Sequence, residues 1–358
     1  MIIGIEAERA NNRIKTGVEH YARQLIEHLA KIDTANKYVL YLRTTPQEWV
    51  LRLPQNFTYK VMPFPYAWTQ LRVSWEMFSN PPDVLFIPAS SVPLIHPKNT
   101  VVTVHDLAFR YYPETYSWFS RNFHKLADWM TRHFAKKIIA VTQSTKDDIV
   151  KEYKLSPARV SVVHHGYEKS NHQISLSTAQ SKYVLFLATL QPRKNLVGLI
   201  HAFRQLKTRH TELPHKLLVV GKPGWLYEPI LKAIDDNKDI VEYRGHVSDA
   251  ERLKIMQSVS LLVLPSFYEG FGMQILEAFD AGIPVACSNV SALPEVAGNA
   301  AEFFNPHMTE EITKAMENVL LNPARAEELK SKAFTQLASF SWEKCAKQTL
   351  AVIEEVAR

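Results

Sequence analysis

The sequence predicts an α/β protein made of two Rossmann-like domains, each a doubly wound parallel sheet. Short apolar runs alternate with longer segments of helical periodicity along most of the chain, a pattern typical of stacked βαβ units. The pattern stops in the polar stretch 168–180 (EKSNHQISLSTAQ) and restarts after it, which predicts a linker there. A chain of 358 residues is also long enough to form two full cores.

Each predicted strand is a short apolar or β-branched run. For the amino-terminal domain, residues 1–167, the runs are Ile2–Ile5, Tyr38–Leu42, Thr58–Met62, Val84–Ile87, Thr100–Val104, Lys137–Val141 and Val160–Val163. For the carboxy-terminal domain, residues 168–340, they are Tyr183–Leu187, Lys216–Val220, Ile240–Tyr243, Leu261–Leu264 and Val285–Ala286. We expect a ligand-binding cleft between the domains, because ligands of such sheets bind beyond the carboxyl ends of the strands.

Three helical segments close the chain, at about 309–321, 324–338 and 341–357, with no strand between them. The last one, within residues 341–358, is expected to cross back and pack on the amino-terminal domain.

Composition narrows the class of protein. A hydrophobic content of 46% and a charged content of 22% are those of an ordinary soluble globular protein. Cys287 and Cys345 form neither a disulfide framework nor a metal-binding spacing, so we expect a cytoplasmic location. No apolar stretch approaches the roughly 20 residues of a membrane span. The net charge of +6 and the pI of about 9.1 favour polyanionic partners, which include phosphates, anionic lipid and nucleic acid.

Two glutamates eight residues apart are the most informative motif, EGFGMQILE at 269–277. The motif follows an apolar strand and opens a helix, so Glu269 and Glu277 lie on nearly the same side, a little over two turns apart. Gly270 and Gly272 leave the first helical amides open, and these amides and the helix dipole form an anion site. Taken alone, the motif fits a capped surface helix with solvated glutamates better.

Two further motifs follow strands of the first half. Lys15-Thr16-Gly17 precedes a helix, where a glycine lets a diphosphate approach the helix N-terminus, although a plain turn would look the same. His105 follows the fifth strand and is followed by Asp106. It can touch a substrate, or it can be a structural histidine capped by its neighbour.

Arg193 and Lys194 stand where the second half's first strand ends and its first helix begins. Two cations at a helix N-terminus oppose the dipole and reduce stability unless an anion is present. This pair therefore predicts a pyrophosphate clamp. The segment 288–295 (SNVSALPE) adds hydroxyls and a carboxylate at the same edge.

Some common motifs do not occur in the sequence. It contains no Asp-x-Asp, so we expect neither a metal nor another cofactor at the predicted pyrophosphate site. It contains neither Gly-x-x-x-x-Gly-Lys-Ser/Thr nor Gly-x-Gly-x-x-Gly, which argues against ATPase and dinucleotide-binding functions. A site without metal must stabilise a leaving diphosphate with side chains and helix ends.

Together these motifs resemble the family-4 ("group 1") retaining glycosyltransferases of the GT-B fold. The resemblance is strongest from Val184 to Pro306. It includes LFLATLQPRKNLVGLIHAF, LLVVGKPG, VEYRGHVSDAERLKIMQSVSLLVLPSFYEGFGMQILEAF and AGIPVACSNVSALPEVAGNAAEFFNP. It continues more weakly into VVTVHDLAFRYYPE and KTGVEHYARQLIEHL. It implies that the carboxy-terminal domain binds the donor and the amino-terminal domain the acceptor.

The resemblance implies roles for the donor-side residues. Glu269 would contact hydroxyls of the donor sugar near the reaction centre, and Glu277 the ribose hydroxyls. Arg193 and Lys194 would hold the diphosphate. The amides that would assist them are those of Gly270, Phe271 and Gly272.

The remaining implied roles concern four positions. His105 would touch the sugar and the incoming acceptor, which makes it catalytic together with Glu269, Arg193 and Lys194. Gly17 would border the phosphates. The backbone at His246 and Val247 would bind the base.

One departure from the family pattern affects the diphosphate site. Many relatives have Gly-Arg where this chain has Ala188-Thr189, the arginine being a phosphate ligand. We expect Arg193 to supply that charge here.

The predicted function is retaining transfer of a hexosyl group, with mannosyl favoured. The donor would be GDP-mannose or a UDP-hexose, and the acceptor a saccharide or a lipid-linked saccharide. A nucleotide-sugar 2-epimerase of the same fold is an alternative, which the intact Pro-Arg-Lys-Asn and paired glutamates disfavour. A basic nucleic-acid binder is another, but it predicts aromatics among basic residues on strands or a recognition helix, whereas these motifs lie at strand ends.

The segment 118–137 has two distinct predicted faces. The expected core stripe is Phe119, Phe123, Leu126, Met130 and Phe134. The opposite stripe is Trp118, Arg121, Lys125, Trp129, Arg132 and Lys136. Tryptophan among cations is typical of a membrane-interface face, so this helix predicts peripheral contact with an anionic inner membrane surface. Packing of both tryptophans against a neighbouring loop is an equally good interpretation.

Overall fold

The computed structural model describes residues 1–13, 17–89, 91–169 and 181–358, and they form two compact units. Unit 1 comprises Met1–Leu107, Trp118–Glu168 and Phe340–Arg358. Unit 2 comprises Ala108–Ser117 and Lys169–Ser339. The predicted linker lies almost entirely outside the described residues. The segment Ala108–Ser117 groups with unit 2, although the sequence places it in the amino-terminal domain.

Unit 1 contains a seven-stranded parallel sheet in the order β3-β2-β1-β4-β5-β6-β7. Its strands are β1 (Ile2–Glu6), β2 (Lys37–Leu42), β3 (Phe57–Val61), β4 (Val84–Ile87), β5 (Thr100–Val104), β6 (Lys137–Ala140) and β7 (Val160–Val162). Ile5 lies in register with Leu40 on one side and with Phe86 on the other. All three side chains are fully buried in one core cluster.

Helices cover the sheet of unit 1. They are α1 (Gly17–Ile32), α2 (Glu48–Leu51), α3 (Ser74–Ser79), α5 (Trp118–Phe134), α6 (Gln143–Tyr153) and α14 (Trp342–Ala357). A π-helical turn, Thr69–Val73, precedes α3, and a 3₁₀ turn, Pro157–Arg159, precedes β7.

The last helix, α14, belongs to the core of unit 1. Trp342, Cys345 and Ile353 are buried in the same cluster as β1 and α1. The Trp342 ring lies 6.1 Å from the ring of Tyr21. A Cβ on Gly166 would lie only 2.3 Å from the Trp342 backbone, so a glycine is needed where the chain passes this helix.

Unit 2 contains a six-stranded parallel sheet in the order β10-β9-β8-β11-β12-β13. Its strands are β8 (Tyr183–Leu187), β9 (Lys216–Val220), β10 (Val241–Tyr243), β11 (Leu261–Leu264), β12 (Val285–Ser288) and β13 (Ala301–Phe304). The edge strand β13 was missed in the sequence. Its four residues, AEFF, are too few and too mixed in burial to show a period.

The helices of unit 2 are α4 (Ala108–Tyr111), α7 (Leu196–Arg209), α8 (Glu228–Asp235), α9 (Asp249–Met256), α10 (Met273–Asp280), α11 (Leu293–Ala297), α12 (Thr309–Leu320) and α13 (Pro323–Leu337). Two 3₁₀ turns, Pro113–Thr115 and Pro192–Lys194, complete the unit. Within the described ranges of both units, no helix is long and apolar enough to cross a membrane.

The predicted core stripe of α5 was wrong at most positions. Phe119, Phe123 and Leu126 are 76%, 49% and 53% exposed, and of that stripe only Met130 is buried. The helix packs instead through a polar side, where the Tyr153 hydroxyl donates to the buried Asp128 carboxylate. The periodicity correctly predicted an amphipathic helix, but the face that it predicted to be buried is largely exposed.

The structure also corrects the interpretation of the opposite stripe of α5. Trp118 and Trp129 are 73% and 50% exposed, so they are not covered by a loop. Lys136 lies beyond the end of α5, and its ammonium donates to Asn99 Oδ1 at 2.9 Å and to the Val356 carbonyl at 2.7 Å.

Candidate active site

A buried ion triad lies at the carboxyl edge of the sheet in unit 2. Glu269 follows β11, and Arg193 and Lys194 follow β8, the neighbouring strand. Arg193 Nη1 lies 3.3 Å from Glu269 Oε2, and Lys194 Nζ donates to Glu269 Oε1. All three residues are 8% exposed. The Ser266 hydroxyl donates to the same Oε1 at 2.7 Å.

The turn between β8 and α7 directs both cations towards Glu269. Pro192–Lys194 forms a 3₁₀ turn, and Asn195 then adopts a left-handed conformation with φ of 54°. The Asn195 side chain fixes this turn by donating to the Pro306 carbonyl at 2.9 Å. Asparagine is one of the few residues other than glycine that tolerate this backbone conformation.

The sequence analysis expects these cations to reduce stability unless an anion is present. The anion that they require is supplied by the chain itself, as Glu269. Burial would raise the pKa of Glu269, but the charges of Lys194 and Arg193 and the Ser266 hydroxyl lower it to about 2. The carboxylate is therefore ionised throughout the physiological range.

The loop after Glu269 is shaped by Gly272 and by the neighbouring β12–α11 segment. Gly272 has φ of 94° and precedes α10. A Cβ there would lie 2.7 Å from Leu293 Cδ2, so the close approach and the conformation both require glycine. The Glu269 amide donates to Ser291 Oγ at 2.9 Å. Gly270 and Phe271, which the sequence places in the anion site, are buried in this loop.

Glu277 lies one turn into α10 and pairs with Arg252 of α9. Arg252 Nη1 donates to Glu277 Oε1, and Arg252 Nη2 lies 3.3 Å from Asp249 Oδ1. Burial raises the pKa of Glu277, and Arg252 opposes that effect. Arg252 was not identified from the sequence, because no local pattern links it to a residue 25 positions away.

His246 and Val247 lie in the turn between β10 and α9. Gly245 before them has φ of 66°, and its carbonyl accepts a hydrogen bond from the Gly221 amide at 2.8 Å. His246 is exposed and Val247 is 9% exposed. The segment thus presents a polar side chain beside a buried apolar one.

The segment Ala108–Ser117 packs on the loop that precedes Glu269. The Tyr112 hydroxyl donates to the Phe267 carbonyl at 3.2 Å. The rings of Tyr111 and Tyr268 stack with centroids 5.4 Å apart. These aromatic contacts explain why the segment belongs to unit 2.

His105 lies at the carboxyl end of β5 in unit 1. Its Nε2 is 2.9 Å from the Pro88 carbonyl, and since a carbonyl only accepts, Nε2 carries the proton. Nδ1 is therefore a lone-pair acceptor, and it is buried with no hydrogen-bond partner among the described residues. Burial lowers the pKa of His105. Its ring packs edge-on against Tyr21, with centroids 4.8 Å apart.

Gly17 is the first residue of α1 and is exposed. A Cβ at this position would meet nothing within 4 Å, so no neighbour in the described structure requires glycine here. Lys15 and Thr16 lie outside the described residues. The role of Gly17 beside the phosphates stays a prediction.

No group of three or more His, Cys, Asp or Glu side chains converges to hold a metal within the part of the chain that the structure describes.

Two family comparisons cover most of the chain. Residues 167–336 match the family "Glycosyl transferases group 1", and residues 15–170 match "Glycosyltransferase Family 4". O-antigen chain mannosyltransferase B of Escherichia coli is 29% identical over 71% of this chain and 69% of that protein. Serotype-specific mannosyltransferase WbdA of Escherichia coli is 30% identical over 72% of this chain, which spans only 33% of that longer protein.

Solved structures agree on the fold. WaaG, a glycosyltransferase involved in lipopolysaccharide biosynthesis, superposes with a TM-score of 0.74 over 99% of both chains at 16% identity. Anabaena Alr3699/HepE, solved with UDP and glucose, gives a TM-score of 0.70 over 99% of both chains at 16% identity. The chain belongs to the group 1, family-4 glycosyltransferases of the GT-B fold, and it is a glycosyltransferase.

The ion triad of Arg193, Lys194 and Glu269 is expected to contribute to the free energy of unfolding. Lys194→Met leaves buried Glu269 with Arg193 as its only cation, so the free energy of unfolding should fall by about 2–3 kcal/mol. Urea unfolding followed by circular dichroism measures this change. Lys232→Met, which removes an exposed lysine of α8, is the matched control and should change stability by no more than about 0.5 kcal/mol.

The acid dependence of stability provides a second measurement on the same variant. Because the folded pKa of Glu269 is depressed, its contribution is present above its unfolded pKa and is lost as pH falls towards about 2. In Lys194→Met this loss should begin at higher pH. A gain in stability, as relief of a helix dipole would give, contradicts the structural role of the triad.

Proposed function

We propose that the protein is a retaining mannosyltransferase that uses GDP-mannose, with a UDP-hexose as the second choice of donor. The acceptor is a saccharide or a lipid-linked saccharide on the cytoplasmic side of a membrane. The observation that carries the proposal is the buried triad of Arg193, Glu269 and Lys194 beside the glycine-rich entry to α10.

The triad suits a nucleotide-sugar because it combines positive charge for the diphosphate with a carboxylate for the sugar hydroxyl groups. The three residues themselves, two cations and one carboxylate, carry one net positive charge. The cations and the N-terminus of α10 attract a diphosphate. The ionised Glu269 accepts hydrogen bonds, which suits the hydroxyl groups of a sugar.

The choice of mannose rests on relatives. The two Escherichia coli relatives described above are both mannosyltransferases by name. The structural neighbour solved with UDP and glucose is 16% identical, and it supports the fold rather than the donor.

We infer a same-face displacement. Arg193, Lys194 and the amides of Gly270–Gly272 stabilise the charge that grows on the leaving diphosphate. A diphosphate oxygen accepts the proton of the acceptor hydroxyl as the new glycosidic bond forms and the sugar–phosphate bond breaks. Glu269 acts by accepting hydrogen bonds from hydroxyl groups of the sugar. It does not act as the nucleophile, because two ion pairs make its carboxylate a poor one.

His105 and Glu277 complete the proposed contacts. The unprotonated Nδ1 of His105 can accept a hydrogen bond from a hydroxyl group of the sugar or of the acceptor. We propose that Glu277 accepts hydrogen bonds from the ribose hydroxyl groups. The backbone at His246 and Val247 is proposed to contact the base.

Nucleotide binding tests the donor site. In a thermal-shift panel, GDP-mannose at about 100 times its Kd should stabilise the protein by about 2.7 kcal/mol. Glu277→Gln should weaken GDP binding by roughly 10- to 100-fold in calorimetric titration, since a charge-assisted hydrogen bond contributes about 1.5–3 kcal/mol. Glu327→Gln, on the exposed side of α13, is the control. Unchanged GDP affinity in Glu277→Gln would remove the ribose role.

The transfer reaction tests mechanism and metal use together. With GDP-α-mannose and a saccharide acceptor, proton NMR of the first product formed should show an α-mannoside. The rate should be the same with and without EDTA, because Arg193 and Lys194 replace a metal at the diphosphate. A β-mannoside would refute retention. Loss of activity in EDTA with rescue by Mn²⁺ or Mg²⁺ would refute metal independence.

The membrane contact proposed for α5 is supported by its exposed face, which we define as Trp118, Phe119, Phe123, Leu126 and Trp129. Each of these side chains is at least 49% exposed. Five large apolar side chains on one exposed helix face are unusual for a solvated surface.

Exposed apolar side chains also occur on α3 and on the loop that joins it to the end of α5. The Phe134 ring at the end of α5 lies 5.1 Å from the His96 ring. One residue earlier, the Ile95 amide donates to Ser74 Oγ at 3.1 Å, which joins this loop to α3. The exposed apolar side chains in and beside these segments are Leu71, Trp75, Phe78, Leu94 and Ile95.

Cations accompany the exposed α5 face, although fewer than the sequence indicates. Lys125 is exposed, and Arg121 and Arg132 are half-buried. Lys136 is engaged with Asn99 and Val356. Each available cation would contribute about 1 kcal/mol near an anionic surface.

Flotation with liposomes tests this contact. The protein should float with vesicles that contain anionic lipid and not with neutral vesicles. Trp118→Ala/Phe119→Ala/Trp129→Ala should abolish flotation, and Lys125→Ser should weaken it. Trp225→Ala/Phe334→Ala, which removes two exposed aromatics of unit 2, is the matched control. Equal recovery with neutral and anionic vesicles, or no recovery, would indicate a soluble acceptor.

A further inference from the structure

An ion pair joins α9 to α10 in unit 2, and its arginine, Arg252, has no role in the function proposed above. Arg252 Nη1 donates to Glu277 Oε1. The two side chains are 38% and 22% exposed, so the pair can be reached from solvent. Among the described residues, Glu277 Oε2 accepts no hydrogen bond, which leaves one carboxylate oxygen for a ligand.

The position of Arg252 connects two parts of the proposed nucleotide site. The helix α9 begins directly after the segment that contains His246 and Val247, and Ser248 caps it by accepting from the Glu251 amide at 3.2 Å. Arg252 lies in the first turn of α9. Its side chain therefore ties the helix that follows the base segment to the carboxylate proposed for the ribose.

The surroundings of Glu277 make Arg252 its main charged partner. Burial raises the pKa of Glu277, Arg252 lowers it, and Asp249 raises it. On α10 itself the other acid is Asp280, and the adjoining α11 carries Glu295. The charged residues of the adjoining α13 pair with one another or with Glu302, through Arg325–Glu302, Arg325–Glu328, Lys330–Glu327 and Lys332–Glu328.

We propose that Arg252 is a positioning residue for the donor nucleotide, which holds Glu277 ionised and orients its second oxygen for the ribose hydroxyls. The proposal rests on the ribose role proposed for Glu277. A carboxylate accepts hydrogen bonds from two hydroxyl groups, whereas a protonated carboxyl group becomes a donor and loses part of that capacity. Arg252 itself makes no contact with the ribose in this arrangement.

This role differs from that of a simple link between helices. If Arg252 only joined α9 to α10, its removal would weaken nucleotide binding equally at every pH. If it holds Glu277 ionised, its removal lets Glu277 take up a proton at higher pH than in the wild type. Binding would then be weak at low pH and would recover as the pH rises, because each pH unit below the pKa reduces the ionised fraction about tenfold.

The experiment uses the full chain and four variants: Arg252→Ala, Arg252→Lys, Glu277→Gln and Arg204→Ala. The last removes a different arginine ion pair of unit 2, in which Arg204 binds Asp239 through two hydrogen bonds of 2.5 and 2.6 Å. GDP and UDP are each titrated by calorimetry from about pH 6 to about pH 8.5. The Glu277 carboxyl carbon is titrated by NMR in the protein without nucleotide, with its signal assigned by its loss in Glu277→Gln.

The expected result has two parts. In Arg252→Ala the Glu277 signal titrates at higher pH than in the wild type, and nucleotide binding weakens by about tenfold for each pH unit below the midpoint of that titration. Arg252→Lys retains the charge and most of the binding. Arg204→Ala behaves as the wild type in both measurements.

Two results would overturn the proposal. One is an unchanged Glu277 titration in Arg252→Ala, and the other is a loss of binding in that variant that does not depend on pH. The ribose role fails separately, if Glu277→Gln binds GDP and UDP as the wild type does. In that event the NMR titration still decides whether Arg252 keeps Glu277 ionised.

Discussion

The donor side of this protein depends on one buried carboxylate held between two cations. Glu269, Arg193 and Lys194 are each 8% exposed, so removal of one member leaves a charge in a poorly solvated place. The two cations come from the turn after β8 and the carboxylate from the loop after β11, the adjacent strand. Their attraction thus fixes two loops at the same sheet edge without any ligand.

The surrounding backbone follows from that constraint. Asn195 and Gly272, each in a left-handed conformation, end the two loops and start α7 and α10. Hydrogen bonds from Ser266 and to Ser291 fix the carboxylate and the amide of Glu269. A site held in this way needs little rearrangement when a charged group arrives, which is the condition for electrostatic stabilisation of a leaving group.

Most of the fold could be predicted from the sequence, because the buried parallel strands are continuous apolar runs. The exceptions are segments where periodicity carries too little information. The edge strand β13 has four residues, and α5 has aromatic side chains on the face that it exposes. Within the site, the residue types at the strand ends were found, but their partners were not. Arg193 and Lys194 meet Glu269 some 75 positions away, and no local pattern encodes such a pair.

The site residues of the two units differ in charge, and this difference fits the proposed chemistry. In unit 1, burial lowers the pKa of both His105 and His165, so these rings are neutral near pH 7. In unit 2, ion pairs keep Glu269, Arg193 and Lys194 charged. A neutral acceptor such as His105 Nδ1 suits a hydroxyl group, whereas fixed cations suit a departing diphosphate. The site residues of the two units therefore offer different chemistry: a neutral imidazole in unit 1, and charged groups buried in combination in unit 2.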